Sequence, residues 1–123
     1  MGWKLKEQLR QQLARETGYY VYPAGGRIRF ALTYPNSYFV GMSNLGLHIV
    51  YRLLNQRKDT ACERVYAPWI DMEEIMRQRQ IPLFSLESFH AIKEFDFLGF
   101  SLQYEMIYSN VLNMLDLAGI PIW

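Results

Sequence analysis

Cysteine is almost absent from this chain. Cys62 is the only one in 123 residues, which excludes an internal disulfide, a multi-cysteine zinc site and a cysteine-ligated iron–sulfur cluster within the chain. Histidine is nearly as scarce, with His48 and His90 alone, and no Ser–His–Asp arrangement is visible. An excess of one charge is lacking too. Thirteen basic residues against 12 acidic ones leave a net charge of +1, so there is no strong field to draw in nucleic acid or an anionic membrane. No apolar run approaches the roughly 20 residues that span a bilayer. The N-terminal stretch MGWKLKEQLRQQLARE is too polar for a signal peptide, so the expected location is the cytoplasm.

What is present describes one globular domain. Half of the residues are hydrophobic and 15% aromatic, and this length buries a core without staples. Leu5, Leu9 and Leu13 at four-residue spacing predict a helix over 3–16, stopped by Gly18. Pro23 and Gly25-Gly26 mark a turn, and a first strand follows over 28–34, ended by Pro35. Leu45, Leu47, Ile49, Val50, Leu53 and Leu54 trace a helical face, with Ser43 or Asn44 as its cap. "CERVYAP" reads as a second strand closed by Pro68. Asp71 and Glu74 then read as a D-x-x-E capping box, with Ile70 and Ile75 as its staple, on a helix running to about residue 79.

"IPLFSLES" reads as a third strand and "DFLGFSLQY" as a fourth, joined through "FHAIKEF" by a loop or one helical turn. A last helix over 109–118 stops at Gly119, and residues 120–123 begin a fifth strand. Strands alternating with helices predict a three-layer α/β/α domain around an open parallel sheet of four or five strands. Residues 1–27 form the N-terminal helix and an extended lead-in, and 28–123 the α/β domain. An unpaired edge strand would leave the sheet open to dimerisation.

The stretch "YPNSYFVGMSNLGLH", 34–48, raises the question of a phosphate loop. A Walker A loop needs Lys and Ser or Thr after its last glycine, and here Gly46 is followed by Leu47 and His48. The dinucleotide fingerprint is absent as well. The position is still suggestive, because ligands of open α/β sheets bind beyond the C-terminal strand ends. A tight corner and a ligand loop weigh equally here. Polar residues at the predicted strand ends could line one crevice: Asn36, Gly41, Ser43 and Asn44 after the first strand, Ser85 at the third, and Ser101 and Gln103 at the fourth. Glu87, flanked by Ser85 and Ser88, is the candidate acid or base. No residue is assigned a catalytic or metal-binding role.

The pieces "YPNSYFVGMSNLGL", "ERVYAPWIDMEE", "PLFSLES" and "LGFSLQYE…NVLNMLDLAGIP" together resemble the N-terminal domain of a family of bacterial radical SAM proteins, over about 29–122. In that family a cobalamin-binding-like α/β domain precedes the radical SAM core. The resemblance implies a flavodoxin-like sheet of order 2-1-3-4-5. It also implies a downstream barrel, absent from this chain, that holds S-adenosylmethionine and a 4Fe-4S cluster. The D-x-H-x-x-G motif that places a histidine on cobalt is missing, since "PNSYFVGMSNLG" stands in its place. Cobalamin would therefore be held without histidine ligation, or the fold kept and the cofactor lost. The expected function is an accessory, cobalamin-type domain presenting its crevice to the barrel. The alternatives are a cofactor-free docking domain and a free-standing flavin- or nucleotide-binding protein.

Overall fold

The computed structural model of the chain describes residues 3–16, 19–22, 25–102 and 105–121, the side chains of 3–5 and 106 excepted. Strand β1 (Ile28–Tyr34) has the predicted bounds and forms the centre of the sheet. Strand β2 (Thr60–Tyr66) runs parallel to it, with Ile28 opposite Thr60 and Tyr34 opposite Tyr66. Strand β3 (Phe97–Phe100) runs parallel on the other side, with Phe30 opposite Phe97. Among the described residues the sheet thus has three strands in the order β2-β1-β3.

Alternation along β1 sends Leu32 and Tyr34 to one face and Ala31 to the other. On the first face they meet Leu47 and Tyr51 of helix α3 (Leu45–Gln56), together with Cys62 of β2. On the second face Ala31 and Val65 pack against Met76 of α4 (Ile70–Gln78) and against Met114, Leu117 and Ala118 of α5 (Tyr108–Ala118). A parallel sheet needs cover on both faces, and these two clusters supply it. Helix α1 (Trp3–Ala14) buries Leu9 and Leu13, two residues of the predicted stripe.

The helix ends follow local chemistry. Asn44 caps α3, its Oδ1 accepting from the Leu47 N–H at 2.9 Å. A short helix α2 (Tyr38–Met42), capped by Ser37, precedes it and was not expected. Gly119 closes α5 at a φ of 69°, a left-handed backbone that favours glycine. The expected capping box does not form at α4. Its cap position is Trp69, and Asp71 lies inside the first turn, where it bonds the Met72 N–H and faces the positive end of the helix dipole.

One strand expectation is corrected. The segment 81–88 does not join the sheet as a third strand, and its one strand-like feature is an antiparallel bridge between Phe84 and Ala91. It doubles back on itself, with the Ser85 N–H bonded to the His90 carbonyl and the Phe89 N–H to that of Ser85. The expected fourth strand is therefore β3, and it pairs directly with β1. Residues 120–121 are not in a strand, and 122–123 lie outside the described residues. The connection before β3 is a single 3-10 turn, Ile92–Glu94, as expected for so short a segment. No described helix is long and apolar enough to cross a membrane.

Candidate functional site

Strand β2 carries two adjacent charges, Glu63 and Arg64, at 5% and 2% exposure. Successive strand residues point to opposite faces, so each charge needs its own partners. Glu63 meets Arg29 at 3.2 Å and accepts from Ser85 Oγ at 2.7 Å and from Ser88 Oγ. His90 joins this cluster through Nδ1, 2.5 Å from Ser88 Oγ and 3.1 Å from Arg29. On the other face Arg64 Nε donates to Glu87 Oε1 at 2.6 Å and Nη1 to Glu16 Oε1 at 2.7 Å. Tyr51 donates to the same Glu87 oxygen and lies under the guanidinium. Burial, opposed by Arg64, pushes the Glu87 carboxyl above its ordinary range.

These side chains also fasten the outer edge of β2. The Arg64 N–H donates to Glu87 Oε2, and the Arg64 carbonyl accepts from the Leu86 N–H, both at 2.8 Å. Two residues earlier, Asn55 of α3 imitates a neighbouring strand. Its Oδ1 accepts from the Cys62 N–H at 2.9 Å, and its Nδ2 donates to the Cys62 carbonyl at 3.0 Å. Glu87 is thus the buried partner of an arginine and not a free acid or base.

The strand ends do form a crevice, of about 230 Å³. Asn36 and Ser37 follow β1, and residues 67–69 follow β2. Glu73 of α4 and Asn110 and Asn113 of α5 complete it. Asn110 Nδ2 donates to the Pro35 carbonyl at 2.9 Å, which ties α5 to the end of β1. Asn113 Nδ2 donates to Glu73, while Arg77 holds Asn113 Oδ1 at 2.7 Å. Amides and one carboxylate equip the crevice for hydrogen bonding. On its rim, Trp69 and Ile70 stand 66% and 79% exposed.

Of the expected site residues that are described, Asn36 alone lines this crevice. Its main-chain carbonyl accepts from the Ala67 N–H. Gly41 is buried against Tyr66, and a Cβ there would stand 2.1 Å from that ring. Close helix–strand packing requires the glycine here. Ser43 bonds the Phe39 carbonyl in an exposed position, and Asn44 is the cap of α3. Ser85 is fully buried on Glu63. Ser101 follows β3, its N–H bonded to the Thr33 carbonyl. Gln103 lies outside the described residues. Trp69, after the end of β2, stands exposed at the crevice. Ser37, Glu73, Asn110 and Asn113 were missed, for they come from separate segments and carry no joint motif.

The interior beside β2 dictates an alkaline response. Burial pushes the Cys62 thiol up to about 12 and the Tyr66 phenol to about 12, and raises Tyr38 and Tyr51 as well. The unfolded chain releases these protons near their ordinary values, about 8.5 for Cys and 10 for Tyr. Between those values and about 12 the unfolded state binds fewer protons, so stability falls as pH rises. The urea midpoint is expected to be flat from pH 7 to 8 and to drop steadily above 9. Cys62 alone contributes on the order of 1 kcal/mol per pH unit. At 1% exposure this thiol should also resist a disulfide reagent at pH 8 until the protein is denatured.

The family described as "Radical SAM proteins, N-terminal" matches residues 46–123, more than half of the chain. No curated protein and no solved structure matches it.

Proposed function

The chain belongs to the family of N-terminal regions of radical SAM proteins, and from that membership we propose that it is an accessory domain docking on the radical SAM core through its strand-end face. One observation carries this reading. Two large apolar side chains, Trp69 and Ile70, are left in solvent at one crevice, and grouped exposure of that kind marks an interaction surface. The polar crevice at its centre supplies hydrogen-bonding groups, and the aromatic rim supplies the anchors typical of interface hot spots. Calorimetric titration of the chain with the radical SAM portion of the same polypeptide tests the proposal. Trp69→Ser with Ile70→Ser is expected to weaken association at least tenfold, and unchanged affinity would overturn the reading.

A second reading places cobalamin at the same strand ends, and the position of the crevice favours it, since open α/β sheets take ligands there. Histidine ligation of cobalt does not fit. His48 Nε2 lies 2.7 Å from the Met42 carbonyl, and His90 is engaged with Ser88 and Arg29, so neither lines the crevice. Retention of hydroxocobalamin through a desalting column, without the spectral change of histidine ligation, would establish this second reading. Its absence in the chain joined to the core would leave docking alone.

A further inference from the structure

The crevice at the strand ends is biased toward negative charge and toward accepting hydrogen bonds. Several of its polar groups are already spent. Asn113 gives Nδ2 to Glu73 and takes Arg77 on Oδ1, and Ser37 caps α2. Asn110 uses Nδ2 on the Pro35 carbonyl, so the group it has left is Oδ1, an acceptor. Glu73 is the one charged residue on the wall. Its neighbour Arg77 reaches it only at 3.8 Å, while holding Asp116 at 3.0 Å. Asp71 and Glu74 stand exposed on the same helix, α4. A helix N-terminus favours anions with about half a positive charge. Asp71, Glu73 and Glu74 outweigh it with a full negative charge each.

We propose that the crevice receives an arginine side chain presented by the docking partner, its guanidinium stacked on Trp69 and donating to Glu73 and to Asn110 Oδ1. The inference rests on the docking reading and gives that contact its chemistry. Trp69 is 66% exposed beside the carboxylate, and an indole face is the best aromatic partner for a cation. A guanidinium is flat, stacks on rings, and carries five donors and no acceptor. It therefore complements a wall whose remaining groups accept. The lysine ammonium is a hydrated point charge with no flat face to lay on the ring. An acidic segment would bring like charge against Glu73. At about 230 Å³ the crevice is smaller than the usual ligand pocket and suits one side chain. Arginine is also among the residues enriched at interface hot spots.

The test titrates the protein with N-acetylarginine methylamide and, separately, with its citrulline counterpart, a neutral isostere. The Trp69 indole N–H, assigned by its loss in Trp69→Phe, is followed by NMR. The arginine probe is expected to shift this signal saturably at millimolar concentration, and the citrulline probe to bind at least fivefold more weakly. Glu73→Gln should abolish that preference. Glu94→Gln, an exposed carboxylate outside the crevice, should leave it intact. No saturable shift with the arginine probe, or equal affinity for citrulline, would overturn the proposal. The titration with the radical SAM core is then repeated with Glu73→Gln, which should weaken association at least fivefold and flatten its salt dependence. Unchanged affinity there would overturn the arginine contact and leave docking in place. Failure of the unaltered chain to bind the core, with the arginine probe still preferred, would overturn the docking reading alone.

Discussion

Arg64→Met is expected to lower the free energy of unfolding by about 3–5 kcal/mol, the range for removing one partner of a buried ion pair. The reason lies in what the substitution leaves behind. Glu87 has no exposed side-chain surface, and without the guanidinium its carboxyl keeps Tyr51 and the Arg64 N–H as donors but loses its counter-charge. Urea denaturation measures the loss. The paired variant Arg64→Met with Glu87→Leu should recover much of it, because replacing both charges by apolar groups removes the stranded one. Glu16→Gln should be the mildest of the three, since it leaves the Arg64–Glu87 contact in place. A loss below about 1 kcal/mol for Arg64→Met would mean that Glu87 does not need its partner.

Asn55→Leu should be nearly as damaging, at about 2–4 kcal/mol, because it strands two backbone groups at once. The side chain is 3% exposed and satisfies both the N–H and the carbonyl of Cys62. A leucine fills similar volume but offers neither donor nor acceptor. Amide exchange gives an independent reading. The Cys62 N–H should exchange far faster in Asn55→Leu, while the Val65 amide, at a fully buried position of the same strand, changes only with global stability. A small loss with Cys62 still protected would show that another group closes this edge.

The parts of the fold that sequence revealed are those set by neighbours along the chain. The bounds of β1 were legible because its alternation runs into Pro35, and α5 because Gly119 stops it. Segment 81–88 was misread for a physical reason. Buried Ile81, Leu83 and Ser85 at every second position carry the same period as a half-buried strand. What turns the segment aside is long-range, namely Ser85 and Glu87 reaching the two charges of β2. A signal for this was present. Glu63 and Arg64 stand between Cys62 and Val65 in an otherwise apolar strand, and two charges bound for the interior require partners elsewhere. The crevice at the ends of β1 and β2 was not legible in its composition. Of the described residues expected there, Asn36 alone lines it, since Glu73, Asn110 and Asn113 come from helices whose approach depends on tertiary packing.

With Cys62 and Arg64 already tied to Asn55 and to residues 86–87, the described sheet is closed along its β2 flank. Among the described residues β3 is the other edge strand, so a strand added to the sheet would pair there and not alongside β2. A second molecule drifting in from the β2 flank finds those rungs occupied, which is how a small sheet avoids accretion on that side. The buried charges of β2 therefore give the architecture a direction.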